Sequence, residues 1–164
     1  MQAAAPFNPR PAHSAGALFG WLILTFSAVG TGMFISTGRW YASLVKPAWN
    51  PPNWVFGPVW TLLYAMMAVA AWLVWREGGW KRHRRPLSLY VLQWALNALW
   101  TPLFFGLHQP GLAFFELLAL LAAILATHAA FRQVSRPAAL LLVPYAAWVV
   151  FAGLLNFTIW RLNS

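Results

Sequence analysis

The side chains of this chain that could do chemistry are aromatic rings set at helical spacing. Phe56, Trp60 and Tyr64 follow one another at intervals of four residues, so a helix would carry all three rings on one face. Trp148 and Ala152 have the same interval in a later segment, and the small alanine leaves room beside the ring. Flat rings offer stacking surface, so the pattern predicts recognition of a planar, largely apolar molecule.

A third segment adds amide groups to these rings. Its polar and aromatic positions, spaced by three, four, three, one and three, are Tyr90, Gln93, Asn97, Trp100, Thr101 and Phe104. One face of this helix therefore carries amides in its middle and rings towards one end. In the later segment, Asn156 lies on the same helical face as Trp148 and Ala152. These residues could instead serve helix packing and interfacial belts. For Trp60, Asn97 and Trp148 together we favour a shared cavity, because three faces carry rings or amides at similar depth.

Conventional acid–base, nucleophilic and metal chemistry is not indicated. The chain has no cysteine, and its four histidines show no metal-ligand spacing, so we expect no metal site and no obligatory cofactor. Glu116 is the only acid within an apolar stretch; we interpret it as a helix-pairing or snorkelling group, compensated by Arg161 or headgroup water, with a functional carboxylate as the alternative. His128 is interpreted as a packing histidine and not as a haem ligand.

Long apolar helices must position these faces. The 164 residues are 61% hydrophobic and 8% charged, with a mean hydropathy of +0.61, which predicts one integral membrane domain over residues 1–164, with 1–15 as a flexible tail. Five stretches of about 20 residues or more are long enough to span a bilayer. They are 17–37, 55–76, 86–107, 110–131 and 137–160. The expected fold is all-α, a bundle of five transmembrane helices.

The first connection, residues 38–54, is rich in tryptophan and proline. Pro47, Pro51 and Pro52 lack backbone N–H groups and restrict the residues before them, so a stiff, extended path is expected. An ordered connection loses little entropy when it closes over a ligand. We therefore predict that the 38–54 segment acts as a lid over the cavity.

The net charge of +9 is concentrated between the apolar stretches. This distribution does not favour nucleic-acid binding, which needs a basic face on a folded surface; it predicts membrane topology and contact with anionic lipid headgroups. One side carries Arg10, Arg76, Lys81, Arg82, Arg84, Arg85, Arg132 and Arg136, and the other carries only Arg39, Lys46 and Arg161. The N-terminus is thus expected in the cytoplasm, with the 38–54 segment and the C-terminus outside, in a bacterial inner membrane.

Three motifs resemble the translocator protein family, the tryptophan-rich sensory proteins (TspO/MBR). The first is Trp40-Tyr41…Lys46-Pro47…Asn50-Pro51-Pro52…Trp54-Val55-Phe56…Trp60-Thr61…Tyr64; the second is Gln93…Leu96-Asn97…Trp100…Pro102…Phe104-Phe105-Gly106; the third is Pro144-Tyr145…Trp148…Leu155-Asn156…Ile159-Trp160…Leu162-Asn163. The likeness covers residues 17 to 163.

This resemblance implies a five-helix bundle, often a homodimer, with a ligand cavity beneath the first loop. Members of the family bind porphyrins such as protoporphyrin IX and synthetic isoquinoline and benzodiazepine ligands. The pocket residues of the family correspond to Tyr41, Pro51, Phe56, Trp60, Tyr64, Asn97, Trp100, Trp148 and Ala152. Sterol binding is in doubt, because Phe157 stands where the sterol motif of animal members has a tyrosine.

Three functional hypotheses follow. The leading one is a membrane receptor or sensor that holds porphyrin under the 38–54 segment, with Lys46 or Arg39 meeting the propionates. The second is a light- and oxygen-dependent porphyrin-degrading enzyme, for which the resemblance implicates Trp60 and Trp148. The third is a transporter of tetrapyrroles or lipids, which we rank last because the sequence shows no internal repeat, broken helix or paired intramembrane charge.

Overall fold

The computed structural model describes residues 11–30 and 38–164, and these ranges form a bundle of helices without strands. The helices are α1 (Pro11–Phe26), α2 (Gly38–Ser43), α3 (Asn53–Arg76), α4 (Gly79–Arg82), α5 (Arg84–Thr101), α6 (Pro110–Arg132), α7 (Arg136–Leu141) and α8 (Val143–Leu162). A 3₁₀ turn, Ser27–Val29, extends α1. The first ten residues of the expected tail, and residues 31–37 of the first expected span, lie outside the described residues.

The membrane character of the bundle rests on three long apolar helices within the described ranges. By length and composition, Asn53–Arg76, Pro110–Arg132 and the nearly continuous Arg136–Leu162 are each able to cross a bilayer. Ala15–Val29 is apolar but shorter. Helix α5 is less apolar, because two arginines begin it and two amides lie in its interior. The described residues therefore form an all-helical bundle with the length and composition of a membrane domain.

Prolines break two of the expected helices. The expected 86–107 helix is α-helical to Thr101 and then π-helical over Pro102–Gly106, where the Leu107 amide donates to the Pro102 carbonyl at 2.8 Å. Pro102 has no N–H to continue the α-helical ladder, which favours this wider turn. The expected 137–160 helix divides into α7 and α8 at Leu142, two residues before Pro144.

The 38–54 segment differs in part from the stiff, extended path expected for it. Its first six residues form α2, and only then does the chain become irregular. The reason is the position of the prolines: the first of them is Pro47, so nothing prevents residues 38–43 from helix formation. Beyond them, the Asn50 amide donates to the Pro47 carbonyl at 2.9 Å, which closes a turn before α3 begins.

Small residues allow α3 to approach its neighbours closely. Ala68, Ala70 and Ala71 are fully buried in the main core, where α3 packs against α1 and α7. The Tyr90 hydroxyl of α5 lies 2.5 Å from the Thr25 hydroxyl of α1, which joins these two helices by a buried hydrogen bond.

A second, smaller core closes one end of the bundle. Its buried members are Phe104, Ala113, Leu155 and Ile159, contributed by the π-helical segment, α6 and α8. Side chains of the 38–54 segment pack against it, among them Trp40, Tyr41 and Leu44. This core thus holds the first part of the segment against one end of the bundle.

Candidate functional site

A cavity of about 670 Å³ lies between the helices beside this second core. Four helices, α3, α5, α6 and α8, form its walls, and the end of α1 and residues of the 38–54 segment complete it. It is lined by Phe26, Ala28, Val29, Tyr41, Asn53, Phe56, Gly57, Trp60, Thr61, Tyr64, Asn97, Trp100, Thr101, Phe104, Phe105, Leu117, Leu120, Trp148, Val149, Ala152, Leu155, Asn156 and Ile159. Residues from all three faces predicted from sequence therefore line one cavity, whereas Tyr90 and Gln93 of the α5 face are buried and do not line it.

Two tryptophans define the aromatic wall of the cavity. The ring centroids of Trp60 and Trp148 are 6.4 Å apart, and their planes are nearly perpendicular at 87°. Phe56 contacts Trp148 edge-on at 5.9 Å, and Tyr64 tilts against Trp60 at 5.2 Å. Edge-to-face contacts of this kind hold the rings in defined orientations. The wall is a rigid surface on which a planar molecule can stack.

Amides hold the polar groups of the cavity in place. The Tyr64 hydroxyl donates to Asn97 Oδ1 at 2.8 Å, across α3 and α5. Trp100 Nε1 donates to Asn156 Oδ1 at 3.2 Å, and Asn156 Nδ2 donates to the Pro110 carbonyl at 2.6 Å. These bonds connect α5 to α8 and α8 to the start of α6. The amides therefore stabilise the walls as well as line the cavity.

One indole donor at the cavity is unused. Trp148 Nε1 is buried and has no hydrogen-bond partner among the described residues. A buried donor without a partner costs free energy, and an acceptor atom of a bound molecule would remove that cost. The site thus combines a stacking surface with a donor available to a ligand.

The 38–54 segment contributes a tyrosine and a cation. Tyr41 lines the cavity, and Lys46 Nζ lies 4.5 Å from the centroid of the Tyr41 ring while donating to the Leu44 carbonyl at 3.1 Å. Burial raises the pKa of the Tyr41 hydroxyl above its usual range. The hydroxyl is therefore a neutral group at physiological pH.

Eight of the nine expected pocket residues line this one cavity. They are Tyr41, Phe56, Trp60, Tyr64, Asn97, Trp100, Trp148 and Ala152. Pro51 lies partly buried in the 38–54 segment and is not among the lining residues. The roles of all nine in ligand binding stay predictions.

Sequence reasoning missed the apolar side of the cavity. Phe26 and Val29, at the end of the first helix, and Leu117 and Leu120, on α6, all line it. Helix α6 is apolar nearly all round, so no contrast between its faces singles out the two leucines. A weak signal existed in their spacing of three, which places them on one face.

Two polar residues of α6, Glu116 and His128, do not line the cavity. Glu116 is buried, with 8% of its surface exposed, and neither carboxylate oxygen has a hydrogen-bond partner among the described residues. Arg161, one of the two compensating groups expected for it, therefore does not pair with it. His128 Nδ1 lies 2.9 Å from the Ala139 carbonyl, which can only accept, so this nitrogen donates. That bond ties α6 to α7, in keeping with a packing histidine.

The position compared with the sterol motif lies on the outer surface of α8. Phe157 is 41% exposed and packs against Phe114, with ring centroids 5.1 Å apart, and against Trp160 at 6.1 Å. It is not among the residues that line the cavity.

Comparison with known proteins gives one consistent result. Residues 17–161 match the model of the TspO/MBR family. The chain is 50% identical to the translocator protein of Homo sapiens over 76% of this chain and 75% of that protein. It is 46% identical to the tryptophan-rich protein TspO of Chlorobaculum tepidum, over 87% of this chain and 91% of that protein. It is 40% identical to the tryptophan-rich sensory protein of Cereibacter sphaeroides, over 87% of this chain and 91% of that protein.

Proposed function

Because this chain belongs to the TspO/MBR family, we propose that it is a membrane receptor or sensor that binds a tetrapyrrole such as protoporphyrin IX. The observation that carries the proposal is the cavity of about 670 Å³ walled by Trp60 and Trp148. Its volume lies in the range of about 300–1,000 Å³ that is usual for sites of organic ligands. Rings dominate its lining, and rings suit a planar aromatic macrocycle.

Each part of the site has a role in this proposal. The macrocycle stacks on Trp60 or Trp148, and the Trp148 indole N–H, which is otherwise unpartnered, donates to a polar atom of the ligand. Ala152 leaves space beside the ring. The propionates emerge beneath the 38–54 segment, where Lys46 and the exposed Arg39 supply positive charge. The segment serves as the lid of the cavity.

The experiment is a titration of the purified protein with protoporphyrin IX in the dark, followed by tryptophan fluorescence and by porphyrin absorbance. Saturable quenching with an unchanged porphyrin spectrum is expected. Replacement of Trp148 by leucine removes a stacking partner, so the Kd should rise about three- to tenfold. Porphyrin absorbance reports this change without dependence on the number of tryptophans.

Trp80 offers the matched control. This tryptophan lies in α4, is 39% exposed and is not among the lining residues, so Trp80→Leu should leave the Kd unchanged. Equal Kd values for the wild type and Trp148→Leu would contradict the proposed site. Absence of saturable binding by the wild type would contradict the proposed ligand.

A second candidate function is light- and oxygen-dependent breakdown of the bound porphyrin. The observation that favours it is the direct contact of Trp60 with Trp148 at the cavity wall, which places two readily oxidised rings beside any stacked macrocycle. Illumination of the complex in air would then convert the porphyrin to a new absorbing product. The product should form only under illumination in air, and neither Trp60→Phe nor Trp148→Phe should form it. A receptor would leave the porphyrin intact.

The arrangement in the membrane is also part of the proposal. Five helices span a bacterial inner membrane, the N-terminus is cytoplasmic, and the 38–54 segment and C-terminus are outside. The connections α3–α5 and α6–α7 lie at one end of the bundle and carry most of the cations, which supports this orientation and contact with anionic lipid headgroups. Exposed apolar side chains such as Leu92 and Leu99 on α5 are available for lipid or for a second copy in a homodimer.

A further inference from the structure

The side chain of Asn163, directly after α8, forms hydrogen bonds with the backbone of the 38–54 segment. The Val45 amide donates to Asn163 Oδ1 at 2.9 Å, and Asn163 Nδ2 donates to the Val45 carbonyl at 2.9 Å. Both backbone groups of one residue are thus bonded by one amide, in the manner of a strand pair. The two residues are 118 positions apart in the chain.

The same amide is held by its own helix. Asn163 Nδ2 also donates to the Ile159 carbonyl at 2.7 Å, so its two N–H bonds are both used. Asn163 lies directly after α8, where the last carbonyls of a helix lack partners. The side chain is therefore held by α8 through the Ile159 carbonyl as well as by the backbone of Val45.

Val45 directly follows the part of the segment that packs beside the cavity. Leu44, the residue before it, packs on the core that contains Leu155 and Ile159, and Tyr41 reaches the cavity itself. A separate attachment holds the start of the segment, where Trp40 stacks on His108 at 4.3 Å. Loss of the Asn163 bonds would consequently loosen the segment near Val45 without detaching it altogether.

We propose that Asn163 is a positioning residue that latches the 38–54 segment over the cavity and so limits the rate at which ligand enters and leaves. The part that concerns ligand exchange rests on the proposed function; the latch itself does not. Asn163 does not line the cavity, so it acts through the segment. Its removal should raise association and dissociation rates together and change the Kd less than either rate.

Three variants of the full chain test this proposal. Asn163→Leu is similar in size and removes every bond, whereas Asn163→Asp keeps an acceptor for the Val45 amide but loses both donors. Thr158→Val is the matched control on the same helix, because the Thr158 hydroxyl bonds only the Leu154 carbonyl of α8 itself. The first measurement is hydrogen exchange of the Val45 amide in the ligand-free protein.

The expected exchange of Val45 is faster in Asn163→Leu by about fivefold or more, since two exposed hydrogen bonds are lost. Amides in the middle of α8 should exchange as in the wild type, which distinguishes loss of the latch from general destabilisation. Asn163→Asp should show an intermediate rate, and Thr158→Val the wild-type rate. Unchanged Val45 exchange in both Asn163 variants would overturn the latch.

The second measurement is release of protoporphyrin IX after dilution. The dissociation rate should rise about fivefold in Asn163→Leu, with a matching rise in the association rate. A latch confirmed by exchange but without effect on either rate would overturn the link to ligand exchange. A wild type that binds no porphyrin would refute the proposed function, while the exchange measurement would still decide the latch.

Discussion

At the scale of single residues, the interior of the bundle is stabilised by polar pairs that join different helices. Tyr64 donates to Asn97 between α3 and α5, and Thr25 bonds Tyr90 between α1 and α5. In a membrane such pairs replace the water that would otherwise satisfy the polar groups. They also fix the rotation of each helix, because the two partners must face one another.

The Tyr64–Asn97 bond should contribute measurably to stability. Tyr64→Phe and Asn97→Leu are each expected to lower the free energy of unfolding by about 0.6–2 kcal/mol, the usual value of an interhelical hydrogen bond in a membrane protein. Each change removes one partner of the bond. Equilibrium unfolding in mixed detergent micelles measures the loss.

The double variant is the control for this prediction. Because the first change already breaks the bond, Tyr64→Phe with Asn97→Leu should cost less than the sum of the two single changes. Strictly additive losses would show that the two side chains do not stabilise one another.

At the scale of helices and their connections, prolines determine where regular structure stops. Pro102 is followed by a π-helical turn, which sets where Phe104 and Phe105 meet the 38–54 segment. Helices α6, α7 and α8 each have a proline in the first two positions, where the missing N–H costs nothing. Most of the described prolines thus mark helix ends, whereas Pro58 lies inside α3.

Packing of α3 against its neighbours depends on its alanines. Ala71→Leu should destabilise the bundle by about 1–3 kcal/mol, because the added carbon atoms have no space between α3 and its neighbours. Ala126→Leu, at an exposed position of α6, is the matched control and should be nearly neutral. Thermal unfolding in detergent compares the two, and equal destabilisation would argue against close packing of α3.

At the scale of the whole molecule, charge distinguishes the two ends of the bundle. Helices α5 and α6 are joined by a short connection at the end that holds the cavity, so their other ends, at Arg84 and Arg132, lie together. The described cations at that end are Arg76, Lys81, Arg82, Arg84, Arg85, Arg132 and Arg136. The end with the cavity carries Arg39, Lys46 and Arg161.

This asymmetry predicts the orientation in the membrane, and the absence of cysteine makes it easy to test. Ala42→Cys and Ser164→Cys should react with an impermeant maleimide in intact cells. Gln133→Cys should react only after the membrane is opened. All three positions are exposed, so each is accessible once the reagent reaches its side. Labelling of Gln133→Cys alone in intact cells would reverse the proposed topology.

Local sequence patterns were enough to predict much of the fold and of the candidate site of this protein. Helical character, the stripes of Phe56, Trp60 and Tyr64, and the family all follow from composition, spacing and motifs within short stretches of the chain. The faces of α3 and α5 could be predicted because polar and aromatic residues stand out against an apolar background. The helical stripes depend on neighbours three or four positions away, and the family depends on motifs that each lie within one stretch of the chain.

The tertiary structure alone decided which residues meet across the chain. The apolar wall made by Leu117 and Leu120, the short helix α2 and the bonds of Asn163 to Val45 carry little or no local signal. Partners far apart in sequence are selected by how the helices pack, and packing depends on all the faces at once. For this reason the rings that line the cavity were predictable, whereas the pairing of Asn163 with Val45 was not.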